Sequence, residues 1–205
     1  MGLIGRENDL VPDDLLQAHT DPFYNECRAY GRLEEQSLNG KIAVRCHGYV
    51  TIPAEKEERL RRNFKIWDWD RPGSEYDKPP SKRQPFRAIV KDLVVEDVPL
   101  TAKVADKILR DMKKMRRCGI YSGDVRPRNY MGGLLVDMSV AITEPYYLFK
   151  IRSPFQVAMT KCVEMYMWQA MVEENHLNTR QRAVRDDEYC KKLRPRKRKT
   201  NRRKG

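Results

Sequence analysis

Apolar positions recur along the chain at two spacings. After Asp21-Pro22, an N-cap residue followed by a first helical position, Phe23, Cys27, Tyr30 and Leu33 stand three or four residues apart and predict a helix with one buried face. Glu26 falls on that inward stripe. It either edges the stripe and reaches solvent or aims at a cationic partner in a cleft, because a buried carboxylate requires one. Beyond the Asn39-Gly40 turn, Ile42, Val44, Cys46, Val50 and Ile52 alternate as in a half-buried strand, with His47-Gly48 marking a bulge. With no second histidine nearby in sequence, His47 reads as structural. Residues 54–63 predict a short surface helix. Residues 64–85 hold four prolines and one glycine and read as a long loop, in which Trp67 and Trp69 anchor it to the body or mark a partner surface. Phe86 to Val95 form a compact apolar strand.

In the second half, Thr101 caps a helix whose inward positions are Val104, Ala105, Ile108, Leu109, Met112 and Met115, and Gly119 ends it. It feeds into GIYSGDVRPRNYMGGLLVDMS, residues 119–139. There Asp124 is followed five positions later by Asn129, and after a tight Met131-Gly132-Gly133 turn the apolar run Leu134-Leu135-Val136 delivers Asp137. Two acids and an amide on adjoining loop ends are suited to hold a metal and a phosphate chain. Thr143-Glu144-Pro145 breaks the pattern. Ser153-Pro154 then opens a helix in which Phe155, Val157, Met159, Val163, Tyr166, Met167, Trp168 and Met171 occupy most faces. Such a helix is either central to the core or shared with a partner.

Charge changes the picture only at the end of the chain. The formal net charge is +12, but the last fifteen residues, 191–205, hold ten Lys/Arg and no acid, which leaves +2 for residues 1–190. The folded part is therefore near neutral. The tail suits nuclear import, nonspecific nucleic-acid contact or a passive solvated end; with no aromatics to stack on bases, any such contact is phosphate-driven and salt-dependent. The five cysteines (Cys27, Cys46, Cys118, Cys162 and Cys190) show no zinc-ligand spacing and read as reduced thiols of an intracellular protein. No apolar run is long enough to span a membrane, and the first residues lack the apolar region of a signal peptide.

The order of a helix, a loop with Asp-x-x-x-x-Asn, a hairpin and an apolar strand ending in Asp resembles the catalytic and metal-binding segments of the protein-kinase-like fold. The phrases FYNECRAYGRL, VRCHGYVTI, WDWDRP, RAIVKDLV and residues 119–139 with the TEPY that follows are, more closely, similar to a fungal family of kinase-like proteins named after the Fta-two subunit of the Sim-four kinetochore complex. The likeness covers roughly residues 21–150. It implies an α+β fold: residues 1–20 a loose lead-in; residues 21–175 a kinase-like domain with a truncated N-lobe (21–95, a helix plus few antiparallel strands) and a partial helical C-lobe (96–175); and residues 176–205 a basic, disordered tail. By the same likeness, Asp124 matches the catalytic acid and Arg126 a position near the transferred phosphate. Asn129 and Asp137 match magnesium ligands, Glu26 the ion-pair glutamate, and Lys91, Asp92 and Leu93 the hinge to ATP.

Departures from the family pattern bear on activity. His-Arg-Asp reads Ser122-Gly123-Asp124, which removes the side chains that brace the catalytic loop, and Asp-Phe-Gly reads Asp137-Met138-Ser139. No glycine-rich phosphate loop and no lysine lie between Met1 and Asp21, so Glu26 is expected to lack its lysine partner and ATP its main clamp. The resemblance thus implies a catalytically impaired kinase-like interaction protein, nuclear, with kinetochore or chromatin protein partners. The alternatives are an active ATP- and magnesium-dependent phosphotransferase, and a basic chromatin- or RNA-binding protein, with a cytoplasmic location if the tail is passive.

Overall fold

A computed structural model describes residues 11–65, 75, 77–95 and 98–183. Helix α1 (Asp13–Thr20) precedes α2 (Pro22–Glu35), so the part of the expected loose lead-in that is described is helical. Its first turn carries Asp13 and Asp14, which favour a helix N-terminus, and Arg28 of α2 donates to the Ala18 carbonyl at 2.7 Å, holding the two helices together. The next helix opens as the sequence predicts. The Asp21 side chain accepts from the Phe23 amide at 2.8 Å with Pro22 at N1.

Strands β1 (Cys46–Ile52) and β2 (Phe86–Lys91) form an antiparallel pair whose register shifts between Cys46 and Gly48, the bulge expected at His47-Gly48. Both are shorter than their apolar patterns. Ile42, Ala43 and Val44 are buried, but as a segment bonded to Leu135: the Val44 amide donates to the Leu135 carbonyl at 2.9 Å, and the Leu135 amide to that of Ile42 at 3.1 Å. Alternation registers burial and cannot tell a strand from an extended turn that bridges to another element. Helix α3 (Ala54–Phe64) follows β1 as predicted. Trp67 and Trp69 lie outside the described residues.

Helix α4 (Ala102–Arg117) is capped by the Thr101 hydroxyl, which accepts from the Val104 amide at 3.3 Å, and it stops before Gly119 at φ +75°. Two short antiparallel pairings follow in strands β3 (Ile120–Tyr121), β4 (Tyr130–Met131), β5 (Leu134–Leu135) and β6 (Ile142–Thr143): β3 with β6, and β4 with β5, adding to the β1–β2 pair. The β4–β5 turn is Gly132-Gly133, both at positive φ, the two-residue turn a twisted hairpin requires. Helix α5 (Pro154–Glu174) opens with a reciprocal capping box between Ser153 and Gln156.

Two apolar clusters hold these elements. One gathers Ala29, Tyr30 and Leu33 of α2 with Ile42, Ala43, Ile120, Leu135, Met138, Ala141 and Met115. The other joins Ala105, Ile108, Leu109 and Met112 of α4 to Trp168, Met171 and Val172 of α5. Residues 176–183 do not belong to a disordered tail: Leu177 and Ala183 pack on the second cluster, Lys113 donates to the Gln181 side chain at 2.9 Å, and the Arg180 amide to Asp106 at 3.3 Å. Residues 184–205, with the basic run, lie outside the described residues.

Candidate functional site

Side chains alternate along β2, so Ile89 and Lys91 share a face, and Ile89 packs against the first core cluster. That places Lys91 at the cleft wall beside α2. Its Nζ lies 2.7 Å from Glu26 Oε1, 2.8 Å from the Val136 carbonyl oxygen and 5.5 Å from the Tyr30 ring centroid. The same Glu26 oxygen accepts from the Met138 amide at 2.9 Å. One carboxylate thus joins α2, β2 and the segment around Asp137. Burial, and next the charge of Glu26, push the Tyr30 hydroxyl well above the ordinary tyrosine range.

This overturns one expectation and settles another. Glu26 is buried, and it does have a lysine partner: Lys91, supplied by a strand that follows the helix in sequence rather than precedes it. An ion pair depends on proximity in space, which a search confined to residues before Asp21 misses. Asp92 and Leu93, the expected hinge neighbours of Lys91, make different contacts. Asp92 instead pairs with His47 Nε2 at 2.6 Å, and Leu93 is 88% exposed. Asp92, Leu93, Val44 and Leu134 line a cavity of about 710 Å³, whereas Glu26, Lys91 and Ser139 line a separate cleft that runs past Phe23 and Arg87.

The predicted acids and amide sit on adjoining backbone. Gly123 turns the chain at φ +75° into Asp124, and a short 3-10 turn, Pro127–Asn129, carries Asn129 into the interior. The Asn129 side chain donates through Nδ2 to the Asp124 backbone carbonyl at 3.4 Å, and the Val136 amide donates to the Asn129 carbonyl at 2.9 Å, setting Asn129 beside the residue that precedes Asp137. Asp137 Oδ1 accepts from the Ser139 amide at 2.8 Å. Asp124 Oδ1 lies 2.9 Å from Arg126 Nε without hydrogen-bond alignment, so among the described residues no donor is aimed at that oxygen. Asn129 and Asp137 are donors a magnesium ion accepts, but the described residues contain no group of three or more His, Cys, Asp or Glu that could hold a metal. Such a pair serves magnesium only where phosphate oxygens complete the shell.

Sequence reasoning missed Glu164. This α5 residue is 1% exposed and accepts from the Ser122 amide at 2.6 Å, the Ser122 hydroxyl at 2.8 Å and Arg116 of α4 at 3.0 Å. The loop that was expected to lose its bracing with His-Arg-Asp is braced from α5 instead. Burial pushes the Glu164 carboxyl above its usual range, against the opposing hydrogen bonds of Ser122 and Arg116. The signal was present: an acid inside an otherwise apolar helical run is the same mark that singled out Glu26.

The chain is thus an α+β protein with a polar cluster set between a helix-packed strand pair and a helical half. The sequence model of the family described as Kinetochore Sim4 complex subunit FTA2 matches residues 7–142. The chain belongs to that family. Membership of a family of kinetochore-complex subunits implies protein partners and, at a coarse level, nuclear association. No curated protein matches the chain, and no solved structure does. Among the described residues no helix is long and apolar enough to cross a membrane.

Proposed function

We propose that the chain is a kinetochore-associated interaction protein on a kinase-like scaffold whose phosphotransfer site is impaired. The observation that carries this reading is the set of contacts on Lys91, whose ammonium is held between the Glu26 carboxylate and the Val136 carbonyl. Phosphoryl transfer rests on cations aimed at the phosphates. Here the Lys91 ammonium points at the protein's own acceptors, Arg126 Nε lies against the Asp124 carboxylate, and Asp137 caps its own turn through Ser139. The ion pair then works as a structural tie between α2, β2 and the Asp137 loop, and the surfaces of the chain are left for protein partners. Supporting the scaffold is the order of elements, from the Glu26 helix through β2 and α4 to the Asp124–Asn129 loop, the hairpin and Asp137.

The test incubates the full chain with ATP, magnesium and a general protein acceptor. The expected result is no phosphate transfer above the level of an Asp124→Ala variant, and no rise in unfolding temperature with magnesium-ATP. Turnover that disappears in Asp124→Ala and in Lys91→Met would overturn the impaired reading. It would favour the second reading, an ATP-dependent phosphotransferase, for which the observation is the Asp124 oxygen with no donor aimed at it.

A further inference from the structure

The solvent-facing side of α5 is apolar along most of its length. Every exposed residue between Phe155 and Ala170 is apolar, namely Phe155, Ala158, Met159, Val163, Tyr166 and Ala170, while Gln156, Thr160, Lys161, Glu164 and Gln169 are turned partly or wholly into the protein. The large members remain open to solvent, Phe155 at 73%, Met159 at 48%, Val163 at 43% and Tyr166 at 53%. They recur at three- and four-residue steps, so they form one stripe about 22 Å long. A surface helix of a soluble protein ordinarily shows the reverse arrangement, and a continuous apolar stripe of this kind marks an interaction surface.

We propose that this stripe is a two-fold seam on which a second copy of the chain docks, with the two α5 helices antiparallel. The helix is complementary to a second copy of itself. The residues just before the helix are basic, with exposed Lys150 and half-buried Arg152, whose guanidinium also reaches the Thr160 hydroxyl at 3.4 Å, and the helix end is acidic, with exposed Glu173 and Glu174. An antiparallel pairing centred between Cys162 and Val163 sets Arg152 against Glu173 of the second copy and opposes the two helix dipoles. The same register places Phe155 against the small Ala170, and Met159 against Tyr166, a favourable sulfur–aromatic pairing. Two-fold symmetry makes each of these contacts twice. Between the charged ends the flanking positions Ala158, Cys162 and Met165 carry no charge that would select a foreign helix, so the only charge pattern available is the one that matches itself. The proposal is independent of the phosphotransfer reading, because no residue of the Asp124–Asp137 cluster takes part.

Sedimentation equilibrium on the full chain, of 24.2 kDa, tests it. At about 100 µM the wild type is expected at twice that mass, within reach of a micromolar dissociation constant. Met159→Glu combined with Tyr166→Glu is expected to give a monomer with an unchanged circular dichroism spectrum. Reversing the basic end (Lys150→Glu with Arg152→Glu) or the acidic end (Glu173→Lys with Glu174→Lys) should each weaken the dimer roughly tenfold, and mixing the two variants should restore it. A wild type that is monomeric at that concentration overturns the proposal, whether residues 184–205 or a different subunit cover the stripe. So does a dimer indifferent to both charge reversals.

Discussion

At the residue scale, two buried acids each tie together segments distant along the chain. Glu26 joins three segments through Lys91 and the Met138 amide, and Glu164 joins α5 to α4 and to the loop before Asp124 through Arg116 and Ser122. Each was visible in sequence as an acid on an apolar stripe, but its partners were not, since they come from positions far away along the chain. Glu164 gives a prediction with a sign. Burial raises its folded-state pKa, so the folded chain favours the protonated form; the corresponding stability is full below the ordinary carboxylate range and is lost as pH rises through the folded value. Glu164→Gln, which cannot ionise, should therefore lose less stability than wild type between pH about 4 and 7. Glu164→Ala, which strands Arg116 and the Ser122 amide, should cost about 3 kcal/mol in the acid range, a cost that shrinks as pH rises and the wild type loses its own pH-dependent share. Urea unfolding across that pH range measures both, and a Gln variant with the wild-type slope would refute the assignment.

At the element scale, helix starts were the most legible features, because a cap is a local event between residues two or three apart. Asp21, Thr101 and Ser153 all cap as their sequence context predicts. Strand limits were less legible: Ile42 to Val44 alternate like a strand, yet bond to Leu135 because the hairpin folds against them. Glycines separate positions that require the residue from one that tolerates it. Gly123 has φ +75°, and an added Cβ would lie 2.6 Å from the Val140 carbonyl oxygen. Gly123→Ala should destabilise by about 2 kcal/mol or more, from the left-handed backbone and the backbone clash together. Gly31, exposed in α2 with nothing within 4 Å of an added Cβ, is the control. Gly31→Ala should stabilise by about 0.5–1 kcal/mol through helix propensity. Thermal melts of the two variants should move in opposite directions.

At the scale of the whole molecule, α4 runs through both apolar clusters, contributing Met115 to one and Ala105 to Met112 to the other, and Tyr130 packs against both. The two halves therefore share structure and should unfold together. Leu33→Ala in the first cluster and Leu109→Ala in the second, each fully buried, should each lower the stability of a single transition by about 3 kcal/mol without splitting it. Two separate transitions by calorimetry in either variant would show that the halves are independent. The sequence by itself determined helices α2 to α5, the caps at Asp21, Thr101 and Ser153, the glycine turns, the Asp124–Asn129–Asp137 spacing and the family, because each depends on residues close together or on ordered phrases. Only the tertiary structure decided that Lys91 answers Glu26, that Glu164 braces the Asp124 loop, that residues 176–183 pack on α4, and that α5 turns Glu164 inward and leaves an apolar stripe facing out. Those outcomes depend on which distant faces meet. An apolar pattern records that a face is to be covered; the fold decides which segment covers it.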